Sequence, residues 1–198
     1  MEMLLLRHGR TAENAEGRYC GRTDSPLCAE GISEARRAGR REEIKLVYSS
    51  PLLRARQTAQ IMLPNAEQRI ITDLREMDFG DFEGRTANEM TDDPVYRQWV
   101  DGGCMGVCPN GEGMAAFSRR VVEAFNVIVD GCLSGGDKQL VIMAHGGVLM
   151  SVMAQYADEQ KQYFGWHTAN CQGWRAQIDM SDPTRHIILR DCERVYSI

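Results

Sequence analysis

Two histidines that each follow a short apolar run are the first residues whose chemistry stands out. Residues 3–6 are apolar and lead through Arg7 to His8, residues 139–143 lead to His145, and a glycine follows each histidine. A neutral imidazole can serve as a nucleophile or a base. A single histidine after a strand is ordinarily packed or exposed without a role. Because these two occupy equivalent places, we expect them to converge on one pocket if their strands are neighbours.

Two arginines could bind an anion beside those histidines. Arg7 directly precedes His8, and Arg54 lies on the first turn of a predicted helix that also begins at the carboxyl end of a strand. Guanidinium groups donate forked hydrogen bonds to phosphate oxygens, and the amides of a helix's first turn attract anions as well. The pattern favours a phosphate site, with an exposed helix arginine as the alternative for Arg54.

A carboxylate-rich turn after the third predicted strand offers candidates for acid chemistry. Its acidic residues are Glu76, Asp78, Asp81 and Glu83. A carboxylic acid beside a phosphate ester can give a proton to the departing oxygen and later take one from water. The spacing does not choose among the four, and most charges on such turns are simply solvated.

These residues need a sheet to bring them together. Short apolar runs predict buried strands at 3–6, 45–48, 69–72 and 139–143. Helical or polar sequence separates them, which predicts a three-layer α/β/α sandwich with a mostly parallel sheet. Residues 173–180 alternate between apolar and polar, and 186–190 form another expected strand after the turn Ser181-Asp182-Pro183. That pair predicts an antiparallel hairpin at one edge of the sheet.

Periodicity predicts helices at 29–41, 51–63, 111–132 and 147–157. Ser50 is expected to cap the second of these, with Pro51 at its first position and Arg56 on its exposed face. Between residues 91 and 113 the pattern weakens, and the second half of that segment holds four glycines and a proline. This composition predicts a mobile lid within one domain of 198 residues.

Charge and chain pattern exclude several partners. The net charge of −5 argues against a nucleic acid polymer, because binding its backbone requires a basic surface. The arginines of residues 36–41 alternate with glutamates and are expected to form a solvated helix face. The apolar run 3–6 is far too short to span a membrane, and we see no secretory signal.

The seven cysteines, an odd number without a CxxC pair, indicate reduced thiols and a cytoplasmic protein. Cys104 and Cys108 are close enough in sequence to be metal ligands, but the sequence has no second pair of ligand residues to complete a metal site. We therefore predict no metal and no cofactor. Pairing of edge strands between two copies would give a homodimer, although the sequence does not determine the oligomeric state.

Taken together, four segments resemble the histidine phosphatase superfamily, also called the phosphoglycerate mutase-like family, over nearly the whole chain. They are Arg7-His8-Gly9 with Thr11 and Asn14; Ser49-Ser50-Pro51-Leu-Leu-Arg54-Ala; Leu74-Arg-Glu76 with Phe79-Gly80 and Glu83-Gly84; and Ala144-His145-Gly146. Each alone is weakly specific, and all four in the family's order are strongly specific. Pro51 stands where the family usually has a small acidic or polar residue, at a position without a catalytic role.

The resemblance implies a metal-independent phosphomonoester hydrolase that forms a phosphohistidine. It makes His8 the nucleophile and Glu76 the proton donor, with Asp78 or Glu83 as alternatives for the donor. The remaining implied contacts to the phosphoryl group come from Arg7, Asn14, Arg54, His145 and Gly146.

Two further segments bear on the substrate. Residues 110–121 and 165–179 resemble the corresponding parts of α-ribazole phosphatases, enzymes of cobalamin nucleotide-loop assembly. This likeness implies α-ribazole 5'-phosphate, or adenosylcobalamin 5'-phosphate, as the substrate. The chain lacks the extra length of phosphoglycerate mutases, which favours a phosphatase over a mutase.

Three aromatic residues and one glutamate outside the four motifs have two interpretations each. Aromatic faces suit a flat base, so the stacking candidates are Tyr96, Trp99 and Trp166, which could equally anchor a core or a lid. Glu112 could bind a ribose or could simply favour the positive end of a helix.

Other functions remain open at this point. A broad-specificity sugar or nucleotide phosphatase would share every motif. A metal hydrolase could use His8, His145 and Glu76 as ligands, but two arginines would then repel the ion. A binding module without catalysis would usually have lost His8 or Glu76.

Overall fold

The two histidine-bearing strands lie side by side at the centre of one sheet. The computed structural model describes residues 1–181 and 186–195. Its strands are β1 (Glu2–Arg7), β2 (Leu46–Ser49), β3 (Glu67–Ile70), β4 (Gln139–Ala144), β5 (Gly173–Asp179) and β6 (Ile188–Val195). They follow the order β3-β2-β4-β1-β5-β6. The sheet is therefore mixed, as predicted.

Strand pairing brings the ends of β1 and β4 to the same level. The two strands run parallel in register from Glu2 opposite Gln139 to Arg7 opposite Ala144. On its other side β1 pairs antiparallel with β5, and β5 pairs antiparallel with β6 at the edge. The expected edge hairpin is confirmed, although part of its turn lies outside the described residues. Its second strand begins later than predicted and runs on to Val195.

Helices cover both faces of this sheet. They are α1 (Ala12–Glu16), α2 (Ala29–Arg37), α3 (Leu53–Met62), α4 (Pro94–Asp101), α5 (Met114–Gly135) and α6 (Gly146–Tyr156). Along β1, Met3 and Leu5 enter one apolar core with α5 and α6, whereas Leu4 and Leu6 enter the other with α2 and α3. A strand buried on both faces is the signature of the three-layer sandwich, and the predicted fold class is confirmed.

The start of α3 differs from the prediction. The helix begins at Leu53, and its N-cap residue Leu52 makes no side-chain cap. Asp24 accepts a hydrogen bond from the Leu53 amide instead, at 2.5 Å. Ser50 is not the cap, because its hydroxyl lies two residues too early and faces the centre of the sheet, and Pro51 lies in the bend before the helix.

Helix α4 occupies a segment that the sequence pattern left irregular. Asp93 accepts hydrogen bonds from the Val95 and Tyr96 amides at 3.0 and 3.3 Å, and Pro94 opens the helix. These are ordinary start signals, which the following glycine-rich residues obscured. Movement of residues 91–113 as a lid stays a prediction. Within the described part of the chain, no helix is long and apolar enough to cross a membrane.

Candidate active site

His8 and His145 meet where β1 and β4 end. Their ring centroids are 5.0 Å apart, and the residues are 3% and 0% exposed. The His8 amide donates to the Ala144 carbonyl at 3.0 Å, which continues the pairing of the strands up to the two rings. The predicted convergence of the histidines is confirmed.

The His8 ring has a defined orientation. Its Nδ1 lies 2.6 Å from the Gly9 carbonyl oxygen. A carbonyl can only accept, so Nδ1 carries the proton and Nε2 carries the lone pair. Burial, followed by the charges of Arg54 and Arg7, holds the pKa of His8 well below its usual value. The ring is therefore neutral at physiological pH, with Nε2 free to attack.

His145 is held by a residue that the sequence pattern had placed at a helix cap. Its Nε2 lies 2.7 Å from the Ser50 hydroxyl oxygen, and its buried Nδ1 has no hydrogen-bond partner. Burial, then Arg54 and His8, keeps the pKa of His145 well below its usual value. Ser50 thus belongs to the site, and its position within the second motif was the available signal.

Arg54 is a buried residue and not an exposed helix arginine. Its side chain is fully enclosed, and its terminal nitrogens donate to the carbonyls of Thr23 at 2.7 Å and Gly21 at 2.8 Å. Its Nε has no partner. The guanidinium therefore organises the loop before α2 and still has a donor to offer a ligand.

Arg7 shows the same incomplete pairing. One terminal nitrogen donates to the Thr168 carbonyl at 2.6 Å and lies 3.2 Å from Nε2 of His167. Its buried Nε is unpaired. Burial lowers the pKa of Arg7, while the nearby Glu76 raises it. Buried polar atoms without partners are uncommon. The Nε–H donors of Arg7 and Arg54 fit a ligand rich in acceptors, and Nδ1 of His145 is a third unpaired polar atom.

Glu76 lies between its own chain segment and the start of α6. One carboxylate oxygen accepts from the Met77 amide and the other from the Gly147 amide, both at 3.0 Å. A Cβ atom at Gly147 would stand 2.3 Å from the carboxylate, so only glycine permits this approach. Gly146 packs against Arg7, since a Cβ there would lie 3.4 Å from the Arg7 guanidinium carbon, which is an ordinary van der Waals contact.

The other three carboxylates of the turn have structural partners. Glu83 accepts from the Gly21 and Arg22 amides at 2.7 Å and from the Thr23 hydroxyl at 2.8 Å. Asp78 accepts from the Gly80 amide and pairs with Arg22. Asp81 accepts from the Asn110 side chain. Of the four, Glu76 alone lines the cavity beside the histidines.

Asn14 reaches the site only through another residue. Its side-chain oxygen accepts from the Thr11 amide at 3.2 Å, which caps α1. Asn170 lies 3.5 Å from the same oxygen and donates to the His8 carbonyl at 2.9 Å. A contact between Asn14 and a ligand therefore stays a prediction, and Asn170 is a supporting residue that sequence reasoning missed.

A cavity of about 230 Å³ is lined at its polar end by Arg7, Glu76, Gly146 and Gly147. We call Arg7, His8, Arg54, Glu76 and His145 the polar centre. Aromatic and methionine side chains form most of the cavity's remaining lining, and we call six of them the apolar wall: Tyr19, Phe79, Trp99, Phe117, Met150 and Phe164. The cavity therefore joins a site for a charged group to a site for an apolar one.

The aromatic candidates of the sequence divide accordingly. Trp99 lines the cavity and donates through its indole nitrogen to the Gly106 carbonyl at 3.3 Å. Tyr96 is buried with its hydroxyl 2.9 Å from that of Tyr19. Trp166 is fully buried against Trp174, at 5.0 Å between ring centroids. Only Trp99 can face a ligand, and the sequence pattern missed Phe164 and Met150.

Glu112, which lies just before the N-cap of α5, is fully engaged with partners inside the protein. Both carboxylate oxygens accept from Arg120, at 2.7 and 2.8 Å, and one also accepts from the Asp78 amide at 3.0 Å. It is an internal ion-pair partner and not a ribose contact. Within residues 1–181 and 186–195, no three His, Cys, Asp or Glu side chains form a group that could hold a metal ion.

Comparison with known proteins agrees with this geometry. The model of the histidine phosphatase superfamily (branch 1) matches residues 3–184. The adenosylcobalamin/α-ribazole phosphatase of Salmonella typhimurium is 34% identical over 189 residues, covering 92% of each chain. The crystal structure of the α-ribazole phosphatase from Shigella flexneri is 28% identical, with a TM-score of 0.80, and covers 100% of this chain and 96% of that one. Phosphoglycerate mutase from Thermus thermophilus is 31% identical, with a TM-score of 0.69 and 99% of both chains covered.

Proposed function

This chain belongs to the histidine phosphatase superfamily and is a phosphatase, and we propose that it hydrolyses α-ribazole 5'-phosphate or adenosylcobalamin 5'-phosphate through a phosphohistidine at His8. The observation that carries the substrate assignment is the apolar wall, which shares one cavity with Arg7 and Glu76 of the polar centre. A phosphate ester that fits both must have a large apolar ring system in its alcohol. The names of similar proteins supply the candidate.

The polar centre supports the first half of the reaction. Arg7, Arg54 and the Gly146 amide at the start of α6 bind the phosphoryl oxygens, which replaces solvent by fixed donors. Nε2 of His8 attacks phosphorus, and the bond from phosphorus to the ester oxygen breaks. Glu76 gives its proton to that oxygen, so the alcohol leaves neutral.

The second half reverses the roles. Water attacks the phosphohistidine, the phosphorus–nitrogen bond breaks, and Glu76 takes a proton from the water, which restores both groups. Ser50 orients the His145 ring, whose second nitrogen, Nδ1, is a further contact for the transferred group. We propose that this site needs no metal and no cofactor, because the arginines and the helix amides supply the positive potential for the phosphoryl oxygens.

A phosphoglycerate mutase or a broad-specificity sugar phosphatase would use the same polar centre. Their substrates are small and highly polar, so an apolar wall would contribute little to binding them. We therefore favour the ring-bearing ester.

The setting that we propose is cytoplasmic, within cobalamin metabolism. A net charge of −5 supports a small phosphate ester as partner in place of a nucleic acid polymer. We also propose that residues 91–113 act as a lid, since α4 and its following loop bring Trp99 and Cys104 to the cavity. A homodimer remains a prediction.

The deciding experiment measures phosphate release, in the presence of a metal chelator, from α-ribazole 5'-phosphate and from a panel of nucleotides, sugar phosphates and phosphoglycerates. The parent protein and a His8→Ala variant are compared. We expect a marked preference for the ribazole ester, no effect of the chelator and no turnover in the variant. Equal turnover across the panel would discard the substrate assignment alone, whereas activity without His8 would discard the mechanism.

A further inference from the structure

Glu76 lies in a segment with little regular structure, so something else must fix its position. The short 3-10 turn Thr72–Leu74 precedes it, and loop residues lead from it to the next turn at Gly80. A proton donor must be placed to a fraction of an ångström to act on a departing oxygen. The two amide bonds to its carboxylate orient the group but do not hold the backbone that carries it.

Arg120, from the second turn of α5, binds that backbone directly. One terminal nitrogen donates to the carbonyls of Asp73 and Arg75 at 2.8 and 3.0 Å, and the other donates to the Glu76 carbonyl at 2.9 Å. Its guanidinium carbon also lies 4.9 Å from the ring centre of Phe117, a residue of the apolar wall. One side chain therefore connects the acid's own peptide group to the cavity lining.

Glu112 completes the connection on the far side of Glu76. It receives two hydrogen bonds from Arg120 and one from the Asp78 amide. Forked pairs of this kind fix geometry as well as charge. The peptide groups on both sides of Glu76 are thus tied to the beginning of α5, and the Arg120 and Glu112 side chains are only 17% and 25% exposed.

We infer that Arg120 and Glu112 are positioning residues for Glu76, holding its carboxyl where it can protonate the leaving alcohol. The inference rests on the proposed function, in which Glu76 is the acid. It predicts that loss of the pair harms the reaction only where a proton is needed.

The test compares kcat/KM for two single-ring esters. Benzyl phosphate releases an alcohol that must be protonated, whereas 4-nitrophenyl phosphate releases a stable phenolate that leaves without a proton. We expect Arg120→Met to lower kcat/KM for benzyl phosphate by about 10²-fold and that for 4-nitrophenyl phosphate by no more than about threefold. Glu112→Gln, which keeps an acceptor for the Asp78 amide, should show the same selectivity with a smaller loss.

The matched control is Arg18→Met. Arg18 also donates to a loop carbonyl, that of Gly84 at 2.7 Å, and to a carboxylate, that of Glu89 at 2.9 Å. It does not contact the Glu76 segment. It should leave the ratio of the two rates unchanged. Thermal unfolding of each variant shows whether lost stability explains any loss of rate.

A double-mutant cycle with Glu76→Gln separates this inference from the proposed function. If Arg120 acts through Glu76, replacing it in the Glu76→Gln background should cost almost nothing further for benzyl phosphate. Equal losses for both esters in Arg120→Met, or full additivity in the cycle, would overturn the positioning role. If Glu76→Gln itself slows both esters equally, the acid role of Glu76 fails, whatever Arg120 does.

Discussion

The polar centre reaches the cavity through Arg7 and Glu76, and it is built differently from the apolar wall that lines the same cavity. Arg7, His8, Arg54 and His145 lie at strand ends or helix starts, whereas Glu76 lies in a loop. His8, Arg54 and His145 are almost completely enclosed. The wall is drawn from α4, α5, α6, a turn and the 3-10 segment Tyr163–Trp166, and one of its members, Phe164, is 53% exposed. The chemistry thus rests on the sheet, whereas selectivity rests on surface elements that can change independently.

This division predicts how variants in each region change kcat/KM for different esters. Damage to the phosphate-binding residues of the polar centre should slow every ester to a similar extent, and damage to Glu76 should slow the esters whose alcohol needs a proton. Damage to the wall should slow only esters that carry a ring. Variants at either region can therefore sharpen or break the comparison.

The largest effect is expected from Arg54→Met. Loss of a buried donor to the phosphoryl oxygens should lower kcat/KM by about 10²- to 10³-fold, and by the same factor for ring-bearing and small esters. Arg56→Met is the control, because Arg56 lies on the same helix with an exposed side chain. A loss confined to one class of ester would contradict the division.

Gly147→Ala should come next. Its Cβ would meet the Glu76 carboxylate at 2.3 Å and the Phe117 ring at 3.0 Å, so the acid must move. We expect a loss of about 10²-fold for benzyl phosphate and much less for 4-nitrophenyl phosphate. Gly131→Ala on α5 meets nothing within 4 Å and should raise the free energy of unfolding by about 0.5 to 1 kcal/mol without a change in rate.

Phe164→Ala tests the wall by itself. The ring is exposed and packs edge-on against Tyr163 at 5.1 Å, so its removal costs little stability. We expect kcat/KM for α-ribazole 5'-phosphate to fall by about tenfold and that for glycerol phosphate to stay unchanged. Val127→Ala, which shortens another exposed apolar side chain, is the control. Equal losses of kcat/KM for both esters would mean that Phe164 acts on the phosphoryl group and not on the ring.

The smallest effect concerns the titration of His8. Positive charge disfavours an imidazolium, so Arg54 and Arg7 add to burial in lowering the pKa of His8. In an NMR titration, His8 should stay neutral through about pH 6.5, where an ordinary histidine is half protonated. Arg54→Met should raise this pKa toward the ordinary value, whereas Arg54→Lys should not.

His167 supplies an internal reference for that titration. Burial and then Arg7 and Arg194 lower its pKa, and Arg54 is not among the causes. Its titration should be the same in the parent and in Arg54→Met. A shift of both histidines would mean that the variant had loosened the fold.

How far the sequence predicts the site follows the same division. His8 and His145 could be found because each ends a buried strand, where periodicity and a following glycine are readable locally. Ser50 was given the wrong partner, since a serine before a proline and a helix matches a cap equally well. Its actual partner, His145, lies 95 positions further along the chain.

The wall shows why the remainder could not be predicted. Phe164 and Met150 are distant in sequence from Trp99. No periodic pattern in the sequence predicts that a 3-10 turn, α6 and α4 line the same cavity. The local pattern also does not distinguish Glu76 from the other three carboxylates. Glu76 is distinguished by its hydrogen bond from the amide of Gly147, which lies on α6 after β4. The local sequence pattern predicts the helices and strands. The hydrogen-bond partners of the site residues follow only from how those helices and strands pack.

The central position of β1 has a consequence for how the molecule forms. Glu2 pairs with Gln139 and also with Gln177, so β1 must wait for two strands that are synthesised after it. Contacts of such long range slow folding, and the two histidines cannot meet before this ladder closes. Hydrolytic activity would therefore appear only after the middle of the sheet is complete, which makes turnover itself a sensitive reporter of native assembly during synthesis.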